Sequence, residues 1–370
     1  MLQNKIYYNY FLEIFKTFLT IIFGLSLIAF TVRAVNFLEL IVDNGYSLNT
    51  YFRYSILNIF GIAPKFFPLA FLISIMIFII KHLNNSEFVI LWTAGVKKTL
   101  IVNLLLFASI IIMFLYLILS VYLTPFALSK SREMLSQSQF NSFLPTIRSQ
   151  QFSDSFKGIT FFVNKKVNNE IENIFLHDTG SNLRNFSSSM TGSKNTTIIA
   201  EKGVVDKKKL FLINGNIITF KKDDSKNEIF KFEQLSIDLN KLSTTVIKDL
   251  KLQETSTLKL LSCFTGRGSN LKICKDEAKK EIIPILIRRL VLPSYIPIIA
   301  LICSLLLLKN TNLFFNRISV FTYGFILLII IELLLKYTGT SSLVTYLYVS
   351  MPIAAFLFLY SVLIYKFSKN

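Results

Sequence analysis

The sequence predicts an α-helical membrane protein: six transmembrane helices, three before and three after, flank an inserted all-β domain of the jelly-roll type. The first observation is composition, because 52% of the residues are hydrophobic and 17% are charged, whereas soluble domains carry more charge. The second is the presence of six apolar runs near the roughly 20 residues that a bilayer core requires. The third is charge placement: 25 of the 40 basic residues and 17 of the 22 acidic residues lie between Pro125 and Ile283. The middle therefore has the composition of a solvated domain.

The apolar runs divide the chain into three parts. No small-residue cleavage site follows the first run, so it is predicted to be a retained helix rather than a signal peptide. Pro125 is predicted to close the third run. The predicted transmembrane segments are Thr17–Val32, Ile56–Ile80, Leu100–Leu123, Ile285–Leu308, Ile318–Leu335 and Leu343–Tyr365. The corresponding domains are residues 1–124, 125–283 and 284–370.

Basic residues in the short connections predict the orientation. Nine lie on one side of the predicted membrane and three on the other. The nine are Lys5, Lys16, Lys81, Lys97, Lys98, Lys309, Arg317, Lys366 and Lys369, and the three are Arg33, Arg53 and Lys336. Both termini are therefore expected in the cytoplasm, with the middle domain outside it.

Short β-branched or aromatic runs fill the middle domain and show no helical spacing. About eight such strands would form a sandwich or a jelly roll. The Asn214–Gly215 pair between two of the runs predicts a tight hairpin turn, since Asn-Gly is the pair that such turns prefer. The predicted strands are Gly158–Val163, Ile174–His177, Thr197–Ala200, Lys209–Ile213, Asn216–Phe220, Glu228–Phe232 and Leu235–Leu239.

The connection between the second and third transmembrane segments, Lys81–Lys98, contains a predicted short helix at about residues 86–95. Ser86 can cap a helix that begins at Glu87, and Gly95 can end it. Its apolar face, at positions i, i+3 and i+4, consists of Phe88, Leu91 and Trp92. Two interpretations are open: this face docks into a groove of a soluble partner protein, or the helix lies on the lipid surface.

Five basic residues are predicted near the outer ends of the transmembrane helices. Lys65, for example, lies sixteen residues before Lys81, which at about 1.5 Å per residue places it ~24 Å from the inner surface. Glu332 is a possible i, i+4 partner of Lys336. Ordinary snorkelling of interfacial side chains is one explanation of the group, and a phosphate-bearing lipid as their common ligand is the other. The five are Arg33, Lys65, Arg288, Arg289 and Lys336.

Catalytic motifs are absent from the sequence, which contains neither a GxxxxGK[ST] phosphate loop nor a GxSxG nucleophile elbow. With two histidines, three cysteines and no CxxC pair, no metal site is expected. Anionic lipid explains the net charge of +18 better than nucleic acid does, because no basic stripe alternates with aromatic residues. These features favour a permease or a non-transporting membrane scaffold. A membrane enzyme acting on lipid-linked sugars would need acid/base pairs at the interface.

Two cysteines, Cys263 and Cys274, are predicted to lie outside the cytoplasm, where disulfides persist. The segment between them contains two glycines and can fold back on itself. A bridge would contribute about 3 kcal/mol on the chain-entropy model. Two unpaired thiols are the alternative.

The segment Ser86–Lys98, SEFVILWTAGVKK, resembles the Ser-Glu motif of the LptF/LptG permeases, which export lipopolysaccharide. Pro68 stands eighteen residues before that serine, within FFPLAFL. The likeness continues through TPFALSKSREML, GITFFVNKKVNNEIENIFLHD and LLLKYTG, and it covers essentially the whole chain. LLLKYTG resembles the LptF pattern, and the Asp-Gln element of helix five in LptG is absent, because this chain has Ile331-Glu332-Leu333 there. Phe66–Pro68 is closer to LptG. The chain is therefore most similar to LptF.

The resemblance implies a transport subunit without its own ATPase site. It implies pairing with the paralogous permease LptG above two copies of the ATPase LptB, which binds the ATP, so that no cofactor is expected in this chain. Lipopolysaccharide is expected to leave the periplasmic leaflet of the inner membrane and to pass through LptC and LptA toward the outer membrane. The resemblance assigns Glu87 and its helix to coupling with LptB, Arg33 to the lipid phosphates and the middle domain to the periplasm.

Overall fold

The computed structural model describes residues 2–42, 46–138, 149–156, 158–167, 170–179, 193–206, 209–221, 228–238, 251–263, 274, 276–308 and 313–369. The chain divides into two compact units. One combines Met1–Val32, Leu57–Ser129 and Lys251–Asn370 and is helical. The other combines Arg33–Ile56 and Lys130–Leu250 and contains the β-sheet.

Long apolar helices dominate the helical unit. Within the described ranges, five helices are long and apolar enough to cross a membrane, and the number is six if a pair of helices bent by 46° is counted as one span. Together with the sheet in the middle of the chain, they confirm the predicted fold class. The helices are α1 (Leu2–Phe37), α2 (Glu39–Val42), α3 (Leu48–Asn84), α4 (Glu87–Thr93), α5 (Lys98–Ile118), α6 (Thr124–Ser138), α7 (Thr257–Ser262), α8 (Asp276–Leu290), α9 (Ile296–Ser304), α10 (Leu313–Tyr337) and α11 (Ser342–Lys369).

The third span continues beyond Pro125, so the prediction that this proline closes it is wrong. A π-helical turn, Leu119–Leu123, joins α5 to α6. Proline offers no N–H to the carbonyl four residues earlier, and its ring crowds that carbonyl. Here the carbonyl belongs to Val121, and it accepts a hydrogen bond from Thr257 Oγ1 at 2.9 Å. A distant residue thus replaces the missing bond.

Helix α9 lies at the centre of the helical core. All nine of its residues, including Cys303, are buried, as expected of a helix that is apolar on every side. Aromatic side chains link the helices around it. The rings of Phe18 and Phe67 lie 5.3 Å apart, edge to face, and Phe67 stacks on Tyr116 at 5.1 Å. Aromatic pairs of this kind stabilise beyond their buried area, and these hold α1, α3 and α5 together.

Six described strands form one antiparallel meander, in which each strand pairs with its neighbours in sequence. This order differs from a Greek-key jelly roll, which brings non-consecutive strands together. A single cluster of buried aliphatic and aromatic side chains forms the core of this unit. The strands are β1 (Phe152–Phe156), β2 (Ile159–Val167), β3 (Glu170–Asp178), β4 (Ser193–Asp206), β5 (Lys209–Lys221) and β6 (Glu228–Asp238).

A bend line crosses the sheet where the pairing skips one residue on each strand: Asn173 in β3, Glu201 in β4 and Asn214 in β5. Asn173 and Asn214 have φ values of 50° and 53°, in the left-handed region that asparagine tolerates. Ile171 and Ile174 are both buried although three residues separate them, a spacing that a straight strand places on opposite faces. The sheet therefore turns along this line and buries side chains from both halves in one core.

The predicted hairpin at Asn214–Gly215 is wrong, because both residues lie inside the single strand β5. A type I′ turn requires positive φ at both central residues, and of this pair Asn214 alone has it. At Gly215 an added Cβ would collide with the carbonyl oxygen of Ile199, so the glycine allows β4 and β5 to approach closely at the bend. The two runs predicted over 228–239 likewise belong to one strand, β6, which the same line crosses.

Candidate functional site

Four of the five predicted bases line one cavity of about 440 Å³ in the helical unit: Lys65 from α3, Arg288 and Arg289 from α8, and Lys336 from α10. Tyr116 and Ser120, from α5 and the π-helical turn, also line it. Helical π turns often occur at functional sites. Arg33, the fifth predicted base, is an exposed residue near the end of α1 in the other compact unit, and its role stays a prediction.

Charge in this cavity is partly compensated. Arg288 Nη2 donates to Glu332 Oε2 at 2.6 Å, so the expected partner of Glu332, Lys336, is not the one it contacts. The reason is geometric: α8 and α10 pack together, and the fork of Arg288 reaches the carboxylate across the helix interface. Lys336 is exposed and has no ion-pair partner among the described residues. Four basic residues and one carboxylate line the cavity, which therefore carries an excess of positive charge.

Arg289 has a different environment, and its geometry contradicts its predicted role as a phosphate ligand. The residue is 4% exposed. Its Nη1 donates to Thr255 O at 2.9 Å and to Thr257 Oγ1 at 3.0 Å, and its Nη2 donates to Gln253 O at 2.7 Å. Since a buried guanidinium needs such acceptors, Arg289 fixes the segment that follows the sheet. The hydroxyl of Thr257 in turn donates a hydrogen bond to Val121 O.

An apolar cavity of about 360 Å³ adjoins the charged one. Lys65 and Glu332 line both cavities. The other lining residues come from α3, from α10 and from the turn that precedes α9. They are Pro68, Leu69, Leu292, Tyr295, Phe325, Leu328, Ile329, Ile331 and Leu333. A cationic chamber beside an apolar one suits an amphiphile with a phosphate on its head and hydrocarbon behind it.

The short helix predicted in the connection exists as α4, Glu87–Thr93, and it ends in a Schellman motif. Gly95 has a φ of 87°, its N–H bonds to Trp92 O at 3.1 Å, and the next N–H bonds to Leu91 O at 3.0 Å, the pattern of such a C-terminus. The predicted N-cap is wrong. Ser86 adopts the left-handed conformation with φ 58°, and its side chain makes no capping bond.

The apolar face of α4 is also covered, contrary to the expectation that it is available to a partner. Phe88 is completely buried, and Leu91 and Trp92 pack against the same helical core. The opposite face carries Val89 and Ile90, which are 47% and 63% exposed. The spacing of Phe88, Leu91 and Trp92 identified an apolar face correctly, but the chain itself fills it. Any partner of α4 therefore meets Val89 and Ile90.

Glu87 lies at the start of α4 and makes hydrogen bonds with the side chains of Asn85, His82 and Tyr10. It accepts hydrogen bonds from Asn85 Nδ2 at 3.2 Å and pairs with His82 Nδ1 at 2.6 Å. Burial alone would raise the pKa of the Glu87 carboxyl, but the hydrogen bonds from Asn85 and His82 and the charge of Lys81 outweigh it and lower the pKa. Glu87 is therefore an anion held in a fixed position. Sequence reasoning missed His82, although a polar residue at the end of an apolar helix is a signal for a specific partner.

Cys263 and Cys274 are joined by a disulfide, with Cα atoms 5.2 Å apart. That separation is within the range natural disulfides show. The loop between them, residues 264–273, lies outside the described residues.

A protein-family model described as lipopolysaccharide export system permease LptF/LptG matches residues 10–366. The chain belongs to the LptF/LptG family. Its helical spans and its family make it a multi-pass inner-membrane permease of the lipopolysaccharide export system, and members of the family are transport subunits rather than enzymes. The match does not separate LptF from LptG. No curated protein matches the chain. For a lipopolysaccharide permease, the paired cationic and apolar cavities are the natural candidate for contact with the lipid.

Proposed function

We propose that this permease is one membrane subunit of an ATP-driven transporter that extracts lipopolysaccharide from the periplasmic leaflet and passes it to a periplasmic bridge. The observation that carries the proposal is the shared wall of the two cavities. Lys65 and Glu332 line both, so a phosphate beside the cationic chamber would continue directly into an acyl chain beside the apolar one.

The basic residues of the cavity would bind the lipid phosphates by electrostatic attraction and would not take part in a chemical reaction. Exposed lysines such as Lys65 and Lys336 each contribute up to about 1 kcal/mol to an ion pair, so several weak contacts would hold the phosphates without trapping them. Release of the lipid would then require only a change in the geometry of the cavities. A small movement of α10 against α3 would change the distance between the two lysines and the volume of the apolar chamber together.

The orientation that fits this role places both termini in the cytoplasm and the β-sheet in the periplasm. It follows from the excess of basic residues in the connections on the proposed cytoplasmic side. In that orientation α4 faces the cytoplasm and is available to a soluble ATPase. The proposed partners are a second permease of the family, LptG, two copies of LptB that bind and hydrolyse ATP, and LptC and LptA at the periplasmic sheet.

The experiment is co-purification of lipopolysaccharide with the intact complex in mild detergent. The double variant Lys65→Glu/Lys336→Glu reverses two exposed charges that line the cavity, and we expect it to reduce bound lipid at least tenfold. Lys130→Glu is the matched control, because Lys130 lies on α6 in an exposed pair with Glu133. Equal lipid recovery from all three proteins would refute the cavity as the lipid site and favour a scaffold that does not transport.

A further inference from the structure

A buried histidine connects three helices at the end of the molecule that carries α4. His82 lies near the end of α3, and its side chain is 3% exposed. Its Nε2 lies 3.1 Å from Glu13 Oε2 on α1, and its Nδ1 lies 2.6 Å from Glu87 Oε2 on α4. Lys81 Nζ pairs with the other oxygen of Glu13 at 2.7 Å. The imidazole ring of His82 therefore links Glu87 on α4 with Glu13 on α1, beside the hydrogen bonds that Glu87 also makes with Asn85 and Tyr10.

The numbers of hydrogen-bond donors and acceptors around His82 determine how many protons this cluster holds. A neutral imidazole has one N–H and one lone pair, whereas an ionised carboxylate only accepts. Two carboxylates can both bond to the ring only if both ring nitrogens carry a proton, or if one carboxyl does. With a doubly protonated ring, the charges of His82, Lys81, Glu13 and Glu87 sum to zero, which is the arrangement that burial favours.

Aromatic rings enclose the histidine on the remaining sides. The ring centroids of Phe78, Tyr10 and Phe88 lie 4.4, 4.7 and 5.4 Å from that of His82. Rings at this distance attract a cation and exclude water, which strengthens the two ion pairs. The titratable groups that face His82 are Tyr10 and Glu13 from α1, its neighbour Lys81 and Glu87 from α4.

We propose that His82 is the positioning residue of the coupling helix: held doubly protonated between Glu13 and Glu87, it makes α4 move together with α1. The coupling role rests on the proposed function. The contact of His82 with Glu13 and Glu87, called the histidine clamp below, is a property of this chain. A displacement of α4 by the ATPase would be transmitted through two charge-assisted bonds to the first transmembrane helix rather than absorbed in the connection.

The first arm of the test reads the clamp without lipid or nucleotide. The permease contains two histidines, so ring-¹⁵N histidine labelling of this chain alone, assembled with unlabelled partners in bilayers, gives two sets of signals, and His177→Gln assigns them. We expect both ring nitrogens of His82 to be protonated at neutral pH, and Glu13→Gln to remove the second proton. A singly protonated His82 that does not respond to Glu13→Gln would overturn the proposal.

The second arm measures lipopolysaccharide moved per ATP hydrolysed in the reconstituted complex. We expect His82→Gln and Glu13→Gln to lower this ratio by about tenfold, the effect of one hydrogen bond to a charged group. His177→Gln, in the sheet, is the matched control. A purely structural role would lower the yield of complex and leave the ratio of the surviving complex unchanged, which would refute positioning. If the unmodified complex moves no lipid, the proposed function fails, and the first arm still decides the clamp.

Discussion

The face that α4 presents to a partner can be tested by comparing its two sides. Ile90 is 63% exposed, whereas Phe88 on the other side is completely buried. Full burial of an isoleucine side chain is worth about 1.5–3 kcal/mol, so covering the exposed part of Ile90 at an interface would contribute about 1–2 kcal/mol. Ile90→Asp removes this contribution and introduces a carboxylate that loses water on binding. We expect it to weaken ATPase binding by about 5- to 30-fold or more.

The same substitution should leave the permease folded, because Ile90 makes no contribution to the described core. Phe88→Ala should behave in the opposite way. It opens a cavity in the core and is expected to cost about 3–5 kcal/mol of stability, so that loss of ATPase binding would follow unfolding of α4. Thermal unfolding in detergent separates the two variants, and the ATPase pull-down is interpreted only for protein that remains folded.

The pull-down compares Ile90→Asp with Val167→Asp, a matched change at an exposed position of the sheet. Retention of the ATPase by Ile90→Asp at the level of the control would refute the reasoning. It would favour the alternative that α4 lies on the lipid surface. Loss of the ATPase with Phe88→Ala while the melting temperature is unchanged would also contradict the assignment, because it would make the buried face the docking face.

Two further predictions concern the segment that follows the sheet. Arg289→Met leaves the acceptors Gln253 O, Thr255 O and Thr257 Oγ1 without their donor. Because a buried acceptor without a partner costs about 1–3 kcal/mol, we expect a lower melting temperature, and an unchanged melting temperature would show that Arg289 does not hold the segment. The Cys263–Cys274 bridge should contribute about 3 kcal/mol. Mass spectrometry of non-reduced protein after alkylation should find neither thiol labelled, and labelling of both in oxidised native material would reject the bridge.

The membrane spans and the inserted all-β domain follow from the sequence because length and polarity alone determine them. A run of about 20 apolar residues has few alternatives to a membrane helix, and period-two runs between turn residues have few alternatives to strands. The sequence also grouped Lys65, Arg288 and Lys336 by a common predicted depth, since a constant rise per residue converts position along a helix into depth. That they line one cavity is a finding of the structure.

Local patterns failed where a distant partner decides the conformation. Pro125 resembles a helix end, but Thr257 satisfies the carbonyl that the proline leaves open. Asn214–Gly215 has the composition of a hairpin, yet β4 and β6 pair with the chain on both sides of it. Periodicity located the apolar face of α4 without showing that the permease itself buries Phe88. The histidine clamp was hidden for the same reason, because Glu13 and His82 are 69 residues apart.

Transfer of lipopolysaccharide in proteoliposomes tests the central claim most directly. The permease is reconstituted with its partner permease and ATPase, and lipid that reaches a soluble periplasmic acceptor is measured with and without ATP. We predict ATP-dependent transfer that Lys65→Glu/Lys336→Glu abolishes while complex formation and ATP hydrolysis persist. Hydrolysis of ATP by an intact complex without any transfer of lipid, or transfer that is unchanged by the double reversal, would contradict the account.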